Sequence, residues 1–184
     1  MNCKISKSSK NLLTNVARKS LEYFLKNGQR IKFNFNSVEI LKHRAVFVTL
    51  RENDSGELRG CIGHTKAYAP LVEAVADTAI SSACEDTRFS PLTFNELRKI
   101  NIEINVLSKL INIVPEEIEI GKHGILLING TCRGLFLPEV AVSNGWDRTK
   151  FLDELSLKSG LTKGIWKDQE TELYAFESES WSEN

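Results

Sequence analysis

The chain has 184 residues, 41% of them hydrophobic and 26% charged, with 24 basic and 24 acidic side chains that cancel to a formal net charge of zero. This length suffices for one well-buried core, or for one main domain carrying a smaller lobe, and the composition excludes both disorder and a coiled coil. Zero net charge without a dense basic stripe argues against nucleic acid as the main partner, and no apolar run approaches membrane-spanning length.

The segment Met1 to Lys7 is polar and has no apolar signal core, so the expected location is the cytoplasm. From Ser9 to Asn27, the residues Leu12, Leu13, Val16, Ala17, Leu21, Phe24 and Leu25 recur at helical intervals, and Gly28 follows as a stop, which predicts an amphipathic helix. Ala45 to Leu50 is rich in β-formers, Asn53-Asp54-Ser55-Gly56 makes a turn, and Leu58 to Gly63 reads as a second strand, together a hairpin. Pro70 opens a helical run, Leu71 to Asp86, whose alanines permit close packing and whose start turns unsatisfied N–H groups toward His64 and Thr65. Thr93-Phe94-Asn95-Glu96 has capping-box spacing before a short helix at Leu97, and Ile102, Ile104 and Val106 then alternate as a strand. Pro115 with Glu116 and Glu117 suits a helix start. Ile125 to Ile128 meets Asn129-Gly130 and then Leu135-Phe136-Leu137, a second hairpin. Asp147 caps a helix through Phe151, Leu152, Leu155 and Leu157 that stops near Gly160. Leu173 to Phe176 reads as the last strand, and Glu177 to Asn184 is polar enough to fray. Hairpins joined by tight turns, without regular strand–helix–strand alternation, give an α+β class: a single domain over 1–184 with a mainly antiparallel sheet flanked by helices.

The chemistry concentrates at Arg59-Gly60-Cys61-Ile62-Gly63-His64. Cys61 is the candidate nucleophile, because a thiolate attacks carbon and nearby cations, here Arg59 and His64, favour that form. Arg59 lies on the Cys61 face only if strand alternation persists through the glycines. His64 is a candidate general base if the chain at Gly63 folds it back, and Glu85 a candidate acid or base. Arg59, Gly60, Gly63, Asp86 and Arg88 are candidate substrate-binding positions, with Arg88 able to grip a carboxylate or phosphate in bidentate fashion. Each has a structural counterpart: Cys61 as a small buried residue between glycines that allow tight helix–sheet packing, His64 as an exposed loop side chain, and Asp86 with Arg88 as a pair fixing the turn to Phe89 and Pro91. Cys84 reads as core, and Gly134 and Pro138 as hairpin-end geometry. Trp146 and Trp166 read as packing aromatics, while His43 and His123 lack a ligand-spaced companion. Cys3, Cys61, Cys84 and Cys132 are too widely spaced to suggest zinc or a disulfide framework, so no metal and no cofactor is expected.

Leu58-Arg59-Gly60-Cys61-Ile62-Gly63, Glu85-Asp86-Thr87-Arg88-Phe89-Ser90-Pro91, Gly134-Leu135-Phe136-Leu137-Pro138 and Gly145-Trp146-Asp147, in this order and spacing, resemble the AMMECR family over nearly the whole chain. The resemblance implies a larger α+β domain with an antiparallel sheet, a smaller lobe, and a cleft between them that holds the site. It matches Arg59, Gly60, Cys61, Gly63, Glu85, Asp86, Arg88, Phe89, Gly134, Pro138 and Trp146 to family blocks; Thr87 stands where members commonly carry proline, and His64, Cys84 and Cys132 fall outside the pattern. Prokaryotic members look like one part of a three-protein set whose others resemble a radical S-adenosylmethionine enzyme and a Memo-type protein, which implies such pathway partners. Two functions follow as expectations: a Cys-dependent enzyme acting on a small acidic molecule or modified residue, or a non-catalytic adaptor of that pathway.

Overall fold

The computed structural model describes residues 4–183, so Cys3 lies outside the described residues. The chain forms two compact units, one including Lys4–Leu107 with residues 179–183 and the other including Ser108–Ser178. Each unit contains its own four-stranded sheet, and the class is α+β with antiparallel pairing. Among the described residues, no helix is long and apolar enough to cross a membrane.

In the first unit, α1 (Lys7–Asn27) begins at Ser6, whose Oγ accepts from the Ser9 N–H at 3.3 Å, and ends at Gly28 with φ 69°. A left-handed cap at this position is nearly free of cost only for glycine. A one-turn helix α2 (Val38–Leu41) precedes the hairpin β1 (Ala45–Glu52) and β2 (Leu58–His64), followed by α3 (Leu71–Cys84) and β3 (Ile100–Leu107). β1 pairs antiparallel with both β2 and β3. Its alternation decides which face is covered: Val46, Val48 and Leu50 are fully buried with Ile102, Ile104 and Val106 of β3, while Phe47 and Thr49 on the other face are only partly so. α3 packs on β1 and β2, and α1 packs on α3. Leu13, Val16, Leu21, Leu71, Val75 and Ala79 complete this core, each large apolar side chain contributing about 1.5–3 kcal/mol by leaving water.

The second unit runs through β4 (Ile111–Asn112), the hairpin β5 (Gly124–Asn129) and β6 (Cys132–Phe136), α4 (Pro138–Ser143), α5 (Arg148–Lys158) and β7 (Thr171–Phe176), in sheet order β4-β7-β5-β6. Its core joins Ile118, Ile125, Leu127, Phe151, Leu152, Leu155 and Ala175, with Trp146 and Trp166 packed against it. Asp147 caps α5 by accepting from the Lys150 N–H at 2.7 Å. Pro138 is not a simple hairpin end but the first residue of α4, where its missing N–H costs nothing.

The tail corrects one expectation. Ser178–Ser182 forms β8, which joins the first sheet beside β3 instead of fraying. Its polar side chains find specific partners. Ser180 Oγ donates to Glu103 at 3.1 Å, Trp181 Nε1 donates to Thr14 at 3.0 Å, and Glu183 takes both Nε and Nη2 of Arg18.

Candidate functional site

β2 is the edge strand of the first sheet, in the order β2-β1-β3-β8. An edge strand exposes unpaired backbone donors, and here side chains take two of them. Ile62 N–H donates to Ser82 Oγ at 3.0 Å, and Cys61 N–H donates to Asp86 Oδ2 at 2.8 Å. Close approach of α3 makes this possible. A Cβ placed on Gly60 would lie 2.1 Å from the backbone oxygen of Ser82, so only glycine lets helix and strand meet there. A Cβ on Gly63 would overlap the ring of Phe47, its cross-strand partner, at 2.1 Å.

Cys61 pairs with Thr49 across the hairpin, and residues so paired share a face. The Thr49 hydroxyl donates to Cys61 Sγ at 3.2 Å, which orients the sulfur, and Cys61 is partly exposed. The cation beside it is Arg88. Its Nη2 donates to the Cys61 carbonyl at 3.4 Å, while Nη2 and Nε also donate to the two carboxylate oxygens of Asp86 at 2.7 and 2.9 Å. Asp86 accepts a further bond from the Arg88 backbone N–H at 3.2 Å. The Arg88 bonds hold the Asp86 carboxyl well below the usual carboxylate range despite its burial, and Asp86 in turn raises the Arg88 guanidinium. Arg88 lies with Cζ 5.5 Å from the centre of the Phe89 ring, its side chain 56% exposed, and its Nη1 has no protein acceptor among the described residues.

The structure therefore brings Cys61, Asp86 and Arg88 together and adds Thr49, which sequence reasoning missed. It does not bring Arg59 or His64 to the thiol. Arg59 falls at a β-bulge, where pairing passes from Leu50 with Gly60 to Arg51 with Leu58, and its Nη2 reaches Glu96 Oε1 at 3.2 Å. His64 is three residues from Cys61 on the same strand and so alternates to the opposite face; its ring meets Tyr68 edge-on with centroids 4.8 Å apart. Glu85 is exposed at the C-cap of α3, its backbone N–H bonded to Ser81. Cys61, Cys84 and Cys132 are free thiols, and burial together with the neighbouring Glu85 pushes the Cys84 thiol up. No group of three or more His, Cys, Asp or Glu among the described residues is arranged to hold a metal ion.

Comparison with known proteins gives one consistent picture. The AMMECR1 family model matches residues 14–181. A Methanopyrus kandleri protein is 39% identical over 179 residues, covering 93% of this chain and 86% of its own length. A Methanosarcina barkeri protein is 40% identical over 179 residues, covering 91% and 87%. The crystal structure of the uncharacterized protein PH0010 from Pyrococcus horikoshii has a TM-score of 0.87 at 36% identity, covering 94% of this chain and 90% of that one.

Proposed function

This chain belongs to the AMMECR1 family, and we propose that its site is a thiol centre in which Arg88 receives the negative charge of a small acidic molecule and Cys61 attacks it. One observation carries the reading: the Asp86 carboxylate bonds the Cys61 N–H and the Arg88 guanidinium at once, fixing a cation beside a partly exposed thiol. The open Nη1 of Arg88 is the donor left for a carboxylate or phosphate oxygen. In the step this favours, sulfur gives its electron pair to a carbonyl carbon of the substrate, its proton leaves to water, and the carbonyl π pair moves onto oxygen. Arg88 then stabilises that oxyanion. His64 lies on the other face of the strand and Glu85 makes no bond to the sulfur, so neither carries a role in this step.

Protection from alkylation tests the reading. Succinate should slow iodoacetamide labelling of Cys61 saturably, read by mass spectrometry of the Cys61 peptide, and Arg88→Gln should remove the protection. Cys84 and Cys132 serve as internal controls. Labelling of Cys61 that neither succinate nor phosphate slows would overturn the reading in favour of a non-catalytic adaptor, with radical S-adenosylmethionine and Memo-type proteins as its partners.

A further inference from the structure

We infer that the cavity between the β1–β2 turn and the Leu97–Lys99 turn is a second ligand site, for a small zwitterion bearing a carboxylate and an ammonium group. The cavity measures about 230 Å³ and is lined by Glu52, Asn53, Asp54, Arg59, Glu96 and Lys99, with Ile100 beside them. It has the volume of about eight water molecules in the liquid, room for a small amino acid together with a few waters. Cys61 and Arg88 do not line it, so the inference stands apart from the thiol chemistry.

The β-bulge creates this site. Arg59 is the extra residue opposite Leu50 and Arg51, and a bulge re-aims the side chain it carries. The Arg59 side chain is only 13% exposed, and Nη2 alone is engaged, with Glu96. Nε and Nη1 have no protein acceptor among the described residues. A guanidinium so enclosed, with donors left over, suits a carboxylate oxygen that enters the cavity.

Glu96 is held in place from its other side. Its Oε2 accepts from the Thr93 N–H at 2.8 Å and the Thr93 hydroxyl at 2.6 Å, and these bonds, with Arg59 adding to them, lower its pKa and keep it ionised. Glu96 thus orients Arg59 and offsets part of its charge. Lys99 adds a second cation, while Asp54 of the turn has no side-chain hydrogen bond among the described residues and offers an acceptor for an ammonium group. Glu52 stands beside it and accepts from Ser55 at 3.1 Å. Three carboxylates against two cations disfavour a bare anion, and a bare cation leaves the Arg59 donors unused. A zwitterion meets both walls.

The test titrates the ¹⁵N-labelled full chain with L-alanine, acetate and methylamine as probes. L-alanine should shift amides in 52–59 and 96–100 saturably, with acetate and methylamine at least about tenfold weaker, the factor expected for losing one charged hydrogen bond. Arg59→Gln should abolish the shifts and Asp54→Asn weaken binding about tenfold. Asp54 is exposed, so its variant decides the matter if Arg59→Gln does not fold. Cys61→Ser should bind L-alanine as the unsubstituted chain does. Absence of saturable shifts with L-alanine, equal binding of acetate, or binding indifferent to Asp54→Asn overturns the inference.

Discussion

Asp86 is a buried carboxylate that serves two neighbours at once, the backbone N–H of Cys61 and the guanidinium of Arg88. Removing its charge leaves the Cys61 N–H with a weaker acceptor and Arg88 with none that is ionised. Asp86→Asn should therefore cost about 1–3 kcal/mol at neutral pH, measured by urea denaturation. The pH dependence has a definite sign. Because the folded carboxyl is held below its unfolded value, near 3.9, its contribution is fully present above about pH 4 and fades as pH falls further. The difference between Asp86→Asn and the unsubstituted chain should thus narrow from pH 7 to pH 3, other acidic groups cancelling between the two proteins. A constant difference over that range would mean that Asp86 holds its position through shape and not charge. Thr49 belongs to the same scale. Its hydroxyl is the side-chain partner of the Cys61 sulfur, yet nothing in its immediate sequence marks it.

At the scale of elements, the contact between α3 and β2 rests on Gly60. A methyl group there meets a backbone oxygen that moves only with α3 itself, whereas one on Gly63 meets Cγ and Cδ1 of partly exposed Phe47, a side chain that clears it by swinging as a whole about χ1. Gly60→Ala should accordingly cost about 1–3 kcal/mol in urea denaturation and Gly63→Ala less. Equal costs would place the strain elsewhere. The helices and hairpins that bury large apolar side chains are legible in the sequence, since periodicity reports burial: α1 with its Gly28 stop, α3, the two hairpins and α5 all follow their apolar patterns. The elements that escape it have no such pattern. β8 is held by polar partners of other elements, β4 has two exposed residues, and α4 is six residues long. The turn at Pro115 begins a helix as expected but continues only as a 3-10 turn to Glu117.

At the scale of the whole molecule, the arrangement of the site depends on a register that the sequence does not display. Continuing the pairing of Arg51 with Leu58 without a bulge would set Cys61 opposite Val48. The extra residue at Arg59 sets it opposite Thr49 instead. A one-residue slip exchanges faces, so the same bulge that gives the sulfur its hydroxyl partner also carries Arg59 away to Glu96. The pairing of Asp86 with Arg88 is readable from their spacing, but their convergence on Cys61 is not, because it requires the end of α3 to reach the edge of β2. Cys61, Asp86 and Arg88, which meet there, come from two separate sequence blocks, and the same blocks also hold Arg59 and Glu85, which do not.

The most direct measurement compares iodoacetate with iodoacetamide at Cys61, two reagents of nearly equal size of which only the first carries a charge. A fixed guanidinium beside the thiol predicts a ratio of rates, iodoacetate over iodoacetamide, several-fold above that of a free cysteine peptide at the same pH. The ratio should fall to the peptide value in Arg88→Gln and decline with added salt, as exposed charge interactions do. A ratio at Cys61 equal to the peptide value, and unchanged by Arg88→Gln, would contradict the account.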